Sequence, residues 1–403
     1  MGSLIKSVLV VFALQFVLSC GGGGGGGGGD DGDGDDGDGD DGGGSGTDTR
    51  TTSFFVKNNE PATIATYDTS GNTYGVTLST DGNTAYVADG LYGLQIIDIS
   101  IPASPALIGT RHTSSLAYGV TLSTDGKTAY VAAANAGLQI IDITTPASPA
   151  LIGTYDTPDW AYGVTLSTDG NTAYVADRNA GLQIIDITTP TSPDLIVSFD
   201  TSGSARGVTL SADGETAYVA NGGAGLQIID ITSPASPSLI ATYGTSGYAL
   251  GITISSDGNT AYVADDDGVQ IIDITTLASP ALIATYDASR AAESVTLSSD
   301  GNTAYIADYS AGLQIIDITV PASPSLIATY DTSDHAFDVT LSTDGNTAYV
   351  ADYSAGLQII DLTVNSQYEA AGFGTDTISL LIHNSVQATF DLSISTDRSD
   401  LIS

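Results

Sequence analysis

One set of side chains recurs at a spacing of 43 or 44 residues, and its members could form a binding site together. Aromatic rings would supply stacking area, and two opposite charges would orient a peptide, a sugar or a small anion. The simpler alternative is that the rings only pack together and that Arg206 forms an ion pair with Glu293. The set comprises Tyr74, Tyr118, Tyr162, Arg206, Leu250, Glu293 and Phe337.

Other uncommon residues lie in the segments around these positions. Trp160 is the single tryptophan, and Arg178, His112 and His335 lie in similar variable segments, which makes all four candidates for ligand binding. A catalytic role would need a nucleophile, a base or a metal, and no carboxylate pair or His–Asp–Ser order stands out. Histidines in surface loops are usually only solvated, so we predict no catalytic residue.

The spacing reflects a sevenfold internal repeat. An Asp-Gly pair recurs every 44 residues, except for one interval of 43, and a period of this size predicts blades or solenoid units. The seven aspartates are Asp81, Asp125, Asp169, Asp213, Asp257, Asp300 and Asp344. Each repeat contains four runs rich in Val, Ile, Thr and Tyr, which favour strands; in the first they cover 75–79, 84–89, 93–99 and 105–110.

The repeat predicts an all-β fold. The third run, LQIID, is nearly all apolar, which is typical of a strand buried on both faces. Seven four-stranded antiparallel sheets covered on both sides describe a seven-bladed β-propeller. The absence of a 3.6-residue period excludes a helical solenoid, and a β-helix, the other alternative, would use shorter coils.

The two ends of the repeat region predict how the ring closes. The seventh repeat has no fourth run, whereas PATIATYD at 61–68 closely matches the fourth run PALIATYD at 280–287. We therefore expect the N-terminal strand to complete the last blade of a propeller spanning about 54–364, which removes two open sheet edges.

The pattern AYVADxxxGLQIIDI followed by P-x-x-P-x-LI resembles the LVIVD-repeat family of bacterial and archaeal surface proteins, over about residues 61–364. The resemblance implies a β-propeller at the cell envelope. It carries no established catalytic residue onto this chain.

The first residues indicate that the protein is exported to the cell envelope. Residues 1–19 contain one lysine and then an apolar run, which is typical of a signal peptide. The last four letters before the glycines, VLSC, resemble a bacterial lipobox, and this resemblance implies cleavage before Cys20 and lipidation of its sulfur. The alternative is an ordinary signal peptide with an incidental cysteine.

Two further segments flank the predicted propeller. Residues 20–53 are rich in Gly and Asp and lack the apolar residues a core needs, so we expect a disordered tether on the lipid anchor. Its D-x-D-x-D spacing at 31–35 could hold a cation weakly, but it lacks the Gly and Glu of a calcium loop. Residues 365–403 contain strand-like runs, so we expect a β-rich extension, too short for a domain.

Composition limits the partners. The chain has 47 acidic and 9 basic residues, a formal charge of -38, which should repel nucleic acid and anionic membrane surfaces. One acidic position follows the second run in five repeats and could bind calcium if its members converged, although one per blade predicts that they cap turns instead. Its members are Asp89, Asp177, Asp265, Asp308 and Asp352.

These observations favour a monomeric, non-catalytic binding module of the cell envelope, without a cofactor, on a lipid anchor that is its only membrane contact. Its partner would be a protein, a peptide or a glycan that docks on the variable loops of one propeller face. The alternatives are an envelope hydrolase or lyase of the propeller type and a calcium-assisted adhesion protein.

Overall fold

The computed structural model describes residues 54–55, 60–363 and 367–368. The predicted signal peptide, Cys20, the tether and all of the extension except 367–368 lie outside these residues. Within the described part of the chain, no helix is long and apolar enough to cross a membrane. The chain divides into two units, one of residues 59–364 and one of residues 1–58 with 365–403.

Strands account for all the regular elements described, in seven four-stranded sheets and one two-stranded sheet. The first strands are β1 (Phe54–Phe55) and β2 (Ala62–Tyr67). Blades 1 to 3 consist of β3 (Gly75–Leu78), β4 (Thr84–Ala88), β5 (Leu94–Asp98), β6 (Ala106–Arg111), β7 (Gly119–Leu122), β8 (Thr128–Ala132), β9 (Leu138–Asp142), β10 (Ala150–Tyr155), β11 (Gly163–Leu166), β12 (Thr172–Ala176), β13 (Leu182–Asp186) and β14 (Asp194–Phe199).

Blades 4 to 6 repeat the arrangement, and the last three strands of the propeller belong to blade 7. Blades 4 to 6 consist of β15 (Gly207–Leu210), β16 (Thr216–Ala220), β17 (Leu226–Asp230), β18 (Ser238–Tyr243), β19 (Ala249–Ile254), β20 (Thr260–Asp265), β21 (Gly268–Asp273), β22 (Ala281–Asp287), β23 (Ser294–Leu297), β24 (Thr303–Ala307), β25 (Leu313–Asp317) and β26 (Ser325–Tyr330). The remaining strands are β27 (Asp338–Leu341), β28 (Thr347–Ala351), β29 (Leu357–Asp361) and β30 (Gln367–Tyr368), and β30 pairs with β1 in the two-stranded sheet.

The hydrophobic core consists of seven clusters, each between two neighbouring blades. Successive side chains of a strand point to opposite faces, so Ala85 and Val87 pack against blade 7 while Tyr86 and Ala88 pack against blade 2. This is why the second and third strands are apolar on both faces. The predicted all-β, seven-bladed propeller with four-stranded antiparallel blades is confirmed.

The N-terminal strand closes the ring, as predicted. Strand β2 pairs antiparallel with β29, with Ala62 opposite Asp361 and Tyr67 opposite Leu357. Blade 7 therefore contains β2, β29, β28 and β27, and no edge is left open between the first and last repeats. A further bridge joins Thr73 to Tyr353 across the same junction.

Strand direction gives the propeller two distinct ends. We call the turn end the one with the Asp-Gly turns and the proline-rich links, and the mouth end the one with the loops between second and third strands and the links between blades. At the turn end, Ser167 Oγ donates to Asp169 Oδ1 at 2.6 Å, and Asp169 accepts the Asn171 N–H at 3.0 Å. Gly170 supplies the positive φ of 70° that the turn requires.

Candidate ligand-binding site

The residues that precede the inner strands meet around the propeller axis at the mouth end. The main-chain N–H of Tyr74 donates to Ala88 O at 2.9 Å, and that of Glu293 donates to Ala307 O at 2.8 Å, which ties both to the second strand of their own blade. All seven side chains predicted to share one opening line one cavity of about 140 Å³. Their role in binding stays a prediction. We call them the mouth residues: Tyr74, Tyr118, Tyr162, Arg206, Leu250, Glu293 and Phe337.

Glycine at the next position lets the inner strands approach closely. A Cβ at Gly75 would lie 2.6 Å from Tyr118 O of the neighbouring blade, so a side chain at Gly75 would require the neighbouring backbone to shift. Blades 6 and 7 have Ser294 and Asp338 at this position, and the Asp338 carboxylate accepts the Val76 N–H at 3.0 Å. Burial raises the pKa of Asp338 to about 6, against the opposing effect of that hydrogen bond. Sequence reasoning missed this residue, although an aspartate before VTL in a single repeat was a visible signal.

Four mouth residues form a continuous wall of rings that we call the aromatic arc: Phe337, Tyr74, Tyr118 and Tyr162. Neighbouring ring centroids lie 5.0, 4.7 and 4.7 Å apart along this order, with tilted or edge-on planes. These separations and angles are those at which aromatic pairs attract each other. Burial raises the pKa of Tyr74 and of Tyr118, so both keep their hydroxyl protons at neutral pH.

The other three mouth residues bring two opposite charges to the same cavity. The Arg206 guanidinium carbon lies 4.1 Å from the centroid of the Tyr162 ring and 5.4 Å from that of Tyr248. Burial raises the pKa of Glu293 to about 7, although nearby Arg206 acts in the opposite direction. The ion pair weighed as an alternative does not form, because no Arg206–Glu293 contact within 4.0 Å occurs among the described residues. Instead, Arg206 stacks on tyrosines.

A second set of residues, which we call the outer ring, surrounds the mouth residues. Each member comes directly after the buried residue that follows the second strand of its blade. It forms a β-bridge with the link that leads into the next blade, as Tyr309 does with Ala336. All have left-handed backbone, with φ between 40° and 54°: Gly90, Ala134, Arg178, Gly222, Tyr309 and Tyr353. Sequence reasoning selected only Arg178 from this ring. It missed Tyr309 and Tyr353, which the identical DYSAG loops of repeats 6 and 7 displayed.

A family model for the LVIVD repeat matches seven segments of the chain, residues 70–113, 119–157, 163–201, 202–245, 246–288, 289–332 and 335–367. The chain belongs to the LVIVD repeat family. No curated protein matches it in sequence. Among solved structures it is similar to Kuenenia stuttgartiensis hydrazine synthase, with a TM-score of 0.61 and 20% identity over 74% of this chain and 97% of that chain. At this identity the likeness shows the fold alone.

Trp160, Arg178 and His335 extend the mouth of this LVIVD propeller, and His112 does not. The Trp160 ring lies 6.4 Å from Tyr118 and 6.3 Å from Tyr162, with the Arg178 guanidinium 5.5 Å away. On the opposite side, the His335 ring lies 4.0 Å from that of Tyr309, which contacts Phe337 at 5.7 Å. His112 instead contacts Tyr92 at 5.9 Å, and both side chains are exposed.

Buried aspartates hold the links that carry these side chains. Asp177 is 0% exposed and accepts hydrogen bonds from Thr157 Oγ1 at 2.9 Å and from the Asp159 N–H at 3.1 Å. It thereby fixes the link just before Trp160. Asp352 accepts the Asp334 N–H at 3.0 Å in the same way, just before His335. Burial raises the pKa of both, against the effect of these hydrogen bonds.

The recurrent aspartates therefore cap loops, one in each of five LVIVD blades, as the spacing predicted. Within the described residues, no three His, Cys, Asp or Glu side chains come together as a metal site would require. The prediction of no cofactor, and the calcium alternative weighed against it, stay untested for this chain.

Proposed function

We propose that this chain is a non-catalytic binding module of the cell envelope, monomeric and lipid-anchored at Cys20, which binds a protein, a peptide or a glycan at its mouth end. The observation that carries the proposal is the arrangement of large side chains around one cavity. The aromatic arc, the two charges and the outer ring form one recognition surface on a rigid scaffold.

Backbone strain supports a role for this surface beyond folding. Arg178, Tyr309 and Tyr353, like the smaller Ala134, adopt left-handed backbone where two other blades have Gly90 and Gly222. A left-handed residue with a side chain costs about 1–2 kcal/mol relative to its usual conformation. Since blades 1 and 4 form with glycine there, the blade itself does not need these side chains. Strain retained in this way is typical of ligand contacts.

The chemistry of the cavity favours binding over catalysis. Of the seven mouth residues only Glu293 is a carboxylate and none is a histidine, so the pairs used for acid–base chemistry are missing from the cavity wall. The envelope address is supported by the signal-like residues 1–19, by the lipobox resemblance at Cys20 and by the resemblance to surface proteins.

The binding role is tested by capture. Full-length protein and its Trp160→Ala and Arg206→Ala variants are immobilised and incubated with envelope extract, and the bound material is quantified. We expect both variants to lose most of the capture, while Lys127→Ala, at the turn end, retains it. Equal capture by all four proteins would rule out the mouth end as the binding surface.

The anchor is tested separately. Cys20→Ser should move the protein from the membrane fraction to the soluble fraction, because one lipidated residue is the only membrane contact proposed. A variant that stays with the membranes would contradict lipidation at this cysteine.

A second candidate function is an envelope hydrolase or lyase, and one observation favours it. A carboxyl with a pKa of about 7 in a cavity is suited to proton transfer at neutral pH. Mass spectrometry of ligand recovered from the unmodified protein and from Glu293→Gln separates the two functions. A binding module returns unmodified ligand from both proteins, whereas an enzyme returns product from the first and intact ligand from the second.

A further inference from the structure

Two side chains of opposite charge line one cavity without forming a salt bridge with each other. Arg206 and Glu293 both line the cavity, one on each side of Leu250. The ion pairs within 4.0 Å among the described residues are Lys127–Asp125 and His335–Asp334, so neither mouth charge has a partner at that distance. An unpaired charge in a partly desolvated site is unfavourable unless a ligand completes it.

Arg206 is held in place by rings rather than by an acid. Its guanidinium stacks on Tyr162 and lies near Tyr248, and its Nε is buried without a hydrogen-bond acceptor among the described residues. A guanidinium carries five N–H donors in a planar fork that matches a carboxylate. Because Arg206 lines the cavity and no carboxylate lies within 4.0 Å of it among the described residues, its terminal N–H groups are available to an anionic group in the cavity.

Glu293 offers the complementary charge. Burial raises the pKa of its carboxyl to about 7, and Asp266 nearby raises it further, while Arg206 lowers it. Because burial outweighs the opposing effect of Arg206, a ligand ammonium within hydrogen-bond distance would further stabilise the ionised form of this carboxyl.

The aromatic arc supplies the third element of the site. It occupies the opposite side of the cavity from Leu250 and presents an apolar wall that an aliphatic or aromatic group can contact. The cavity of about 140 Å³ limits the size of the apolar group that it can enclose. A cavity of roughly 150 Å³ holds a molecule of the size of benzene.

We propose that the mouth cavity binds a small zwitterion with an apolar side chain, of the α-amino acid class. Its carboxylate lies at Arg206, its ammonium at Glu293 and its side chain on the aromatic arc. A simple anion would leave Glu293 without a partner, and a simple cation would face Arg206. The inference rests on the mouth end being a binding surface, and it names the chemistry of the group that enters the cavity.

Calorimetry on the full-length protein tests the two charges one at a time. The probes are L-phenylalanine, 3-phenylpropionate, which lacks the ammonium, and 2-phenylethylamine, which lacks the carboxylate. We expect L-phenylalanine to bind at least about tenfold more tightly than either analogue, which corresponds to about 1.4 kcal/mol. Equal affinities for the three probes, or no detectable heat with any of them, would overturn the proposal.

Variants assign the two contacts. Arg206→Gln should bring the affinity for L-phenylalanine down to the level of that for 2-phenylethylamine, and Glu293→Gln down to that for 3-phenylpropionate. Matched controls are Arg290→Gln, an exposed arginine of another link, and Glu215→Gln at the turn end, both expected to bind like the unmodified protein. A loss of affinity in the controls as large as in the mouth variants would contradict the assignment.

A fourth probe, the dipeptide Phe-Gly, tells whether the site prefers a free amino acid or the end groups of a peptide. Its charges lie farther apart, so we expect weaker binding than for L-phenylalanine; equal or tighter binding would overturn the assignment to a free amino acid. The outcome is independent of the capture experiment. Loss of capture in Arg206→Ala without any binding of L-phenylalanine would sink this inference and leave the binding module intact.

Discussion

The two ends of the propeller are built from the same seven repeats and differ in almost every other respect. At the turn end, a serine hydroxyl donates to each turn aspartate, from Ser79 and Asp81 to Ser342 and Asp344. This contact lowers the pKa of all seven aspartates, so the turn end stays negatively charged. At the mouth end, the seven mouth residues include five different amino acids.

The difference between the two ends separates the residues that the fold requires from the residues that are free to vary. A turn that connects two strands of every blade has one good solution, and the chain uses it seven times. A position that faces the cavity has no such constraint, so its residues are free to differ. Within one repeat protein, departure from the repeat therefore locates a candidate site, and mutations at the two ends should have different consequences.

The comparison holds only while the ring is closed, and opening the ring has the largest expected effect. Deletion of residues 60–67 removes β2, which leaves the hydrogen-bonding edge of β29 unpaired. We expect destabilisation of about 4 kcal/mol or more and loss of the cooperative melting transition, since a whole strand of blade 7 is lost. Thermal melting followed by circular dichroism measures it.

The control for this deletion has the same length. Removing residues 30–37, eight residues of the Gly- and Asp-rich segment, should leave the melting temperature unchanged. Equal melting of the two deletion variants would mean that strand β2 does not close the ring.

The next largest effect is expected in the pH dependence of binding, which should involve the mouth end alone. Glu293 has a pKa of about 7, faces Arg206 and Asp266, and must be ionised to hold an ammonium group, so affinity rises with pH through about 7. Between pH 6 and 8 we expect about a tenfold gain in affinity for L-phenylalanine by calorimetry. Glu293→Gln should show a flat profile over this range. A flat profile in the unmodified protein would exclude Glu293 as the titrating group.

A substitution in a turn should affect stability and leave binding unchanged. Gly258 has a φ of 74°, with no atom near an added Cβ, so Gly258→Ala introduces conformational strain and no clash. We expect a loss of about 1 kcal/mol in the free energy of unfolding by denaturant titration. Gly223 at the mouth end is equally open but has no positive φ, so Gly223→Ala should cost nothing. If both variants lost the same stability, strain at the turn would not be the cause.

A substitution in the outer ring should have the smallest effect on stability, with the opposite sign. Arg178→Gly introduces the residue that blades 1 and 4 use and relieves a left-handed arginine. We expect the free energy of unfolding to rise by less than about 1 kcal/mol, because glycine also raises the entropy of the unfolded chain. Capture from envelope extract should fall at the same time. A variant that is less stable and captures normally would mean that Arg178 serves the fold.

The repeat itself made most of the fold predictable. The strand runs, the turns and the replacement of the missing fourth strand by residues 61–68 all follow from matching one repeat to the next. The mouth residues were equally accessible, because the last residue of each link has one position in every repeat. In these cases the sequence position determines the spatial position.

The parts that could not be predicted depend on side-chain direction. The sequence left open whether Arg206 pairs with Glu293, because opposite charges alone do not fix side-chain directions; in the structure the guanidinium lies over Tyr162 and near Tyr248. The rings of Tyr309 and Tyr353 lie 5.7 and 5.5 Å from that of Phe337, on left-handed backbone that the sequence alone does not reveal. Asp338 was overlooked because a single aspartate among many acidic residues carries little weight in a comparison of composition.

Closure by β2 also places the first and last residues of the ring at one end of the propeller. Ala62, where the first strand of the ring begins, lies opposite Asp361, where the last one ends, and both are at the turn end. The chain thus enters and leaves the wheel on its underside. The strands that begin and end the ring therefore do so at the end opposite the aromatic cavity, away from the mouth residues.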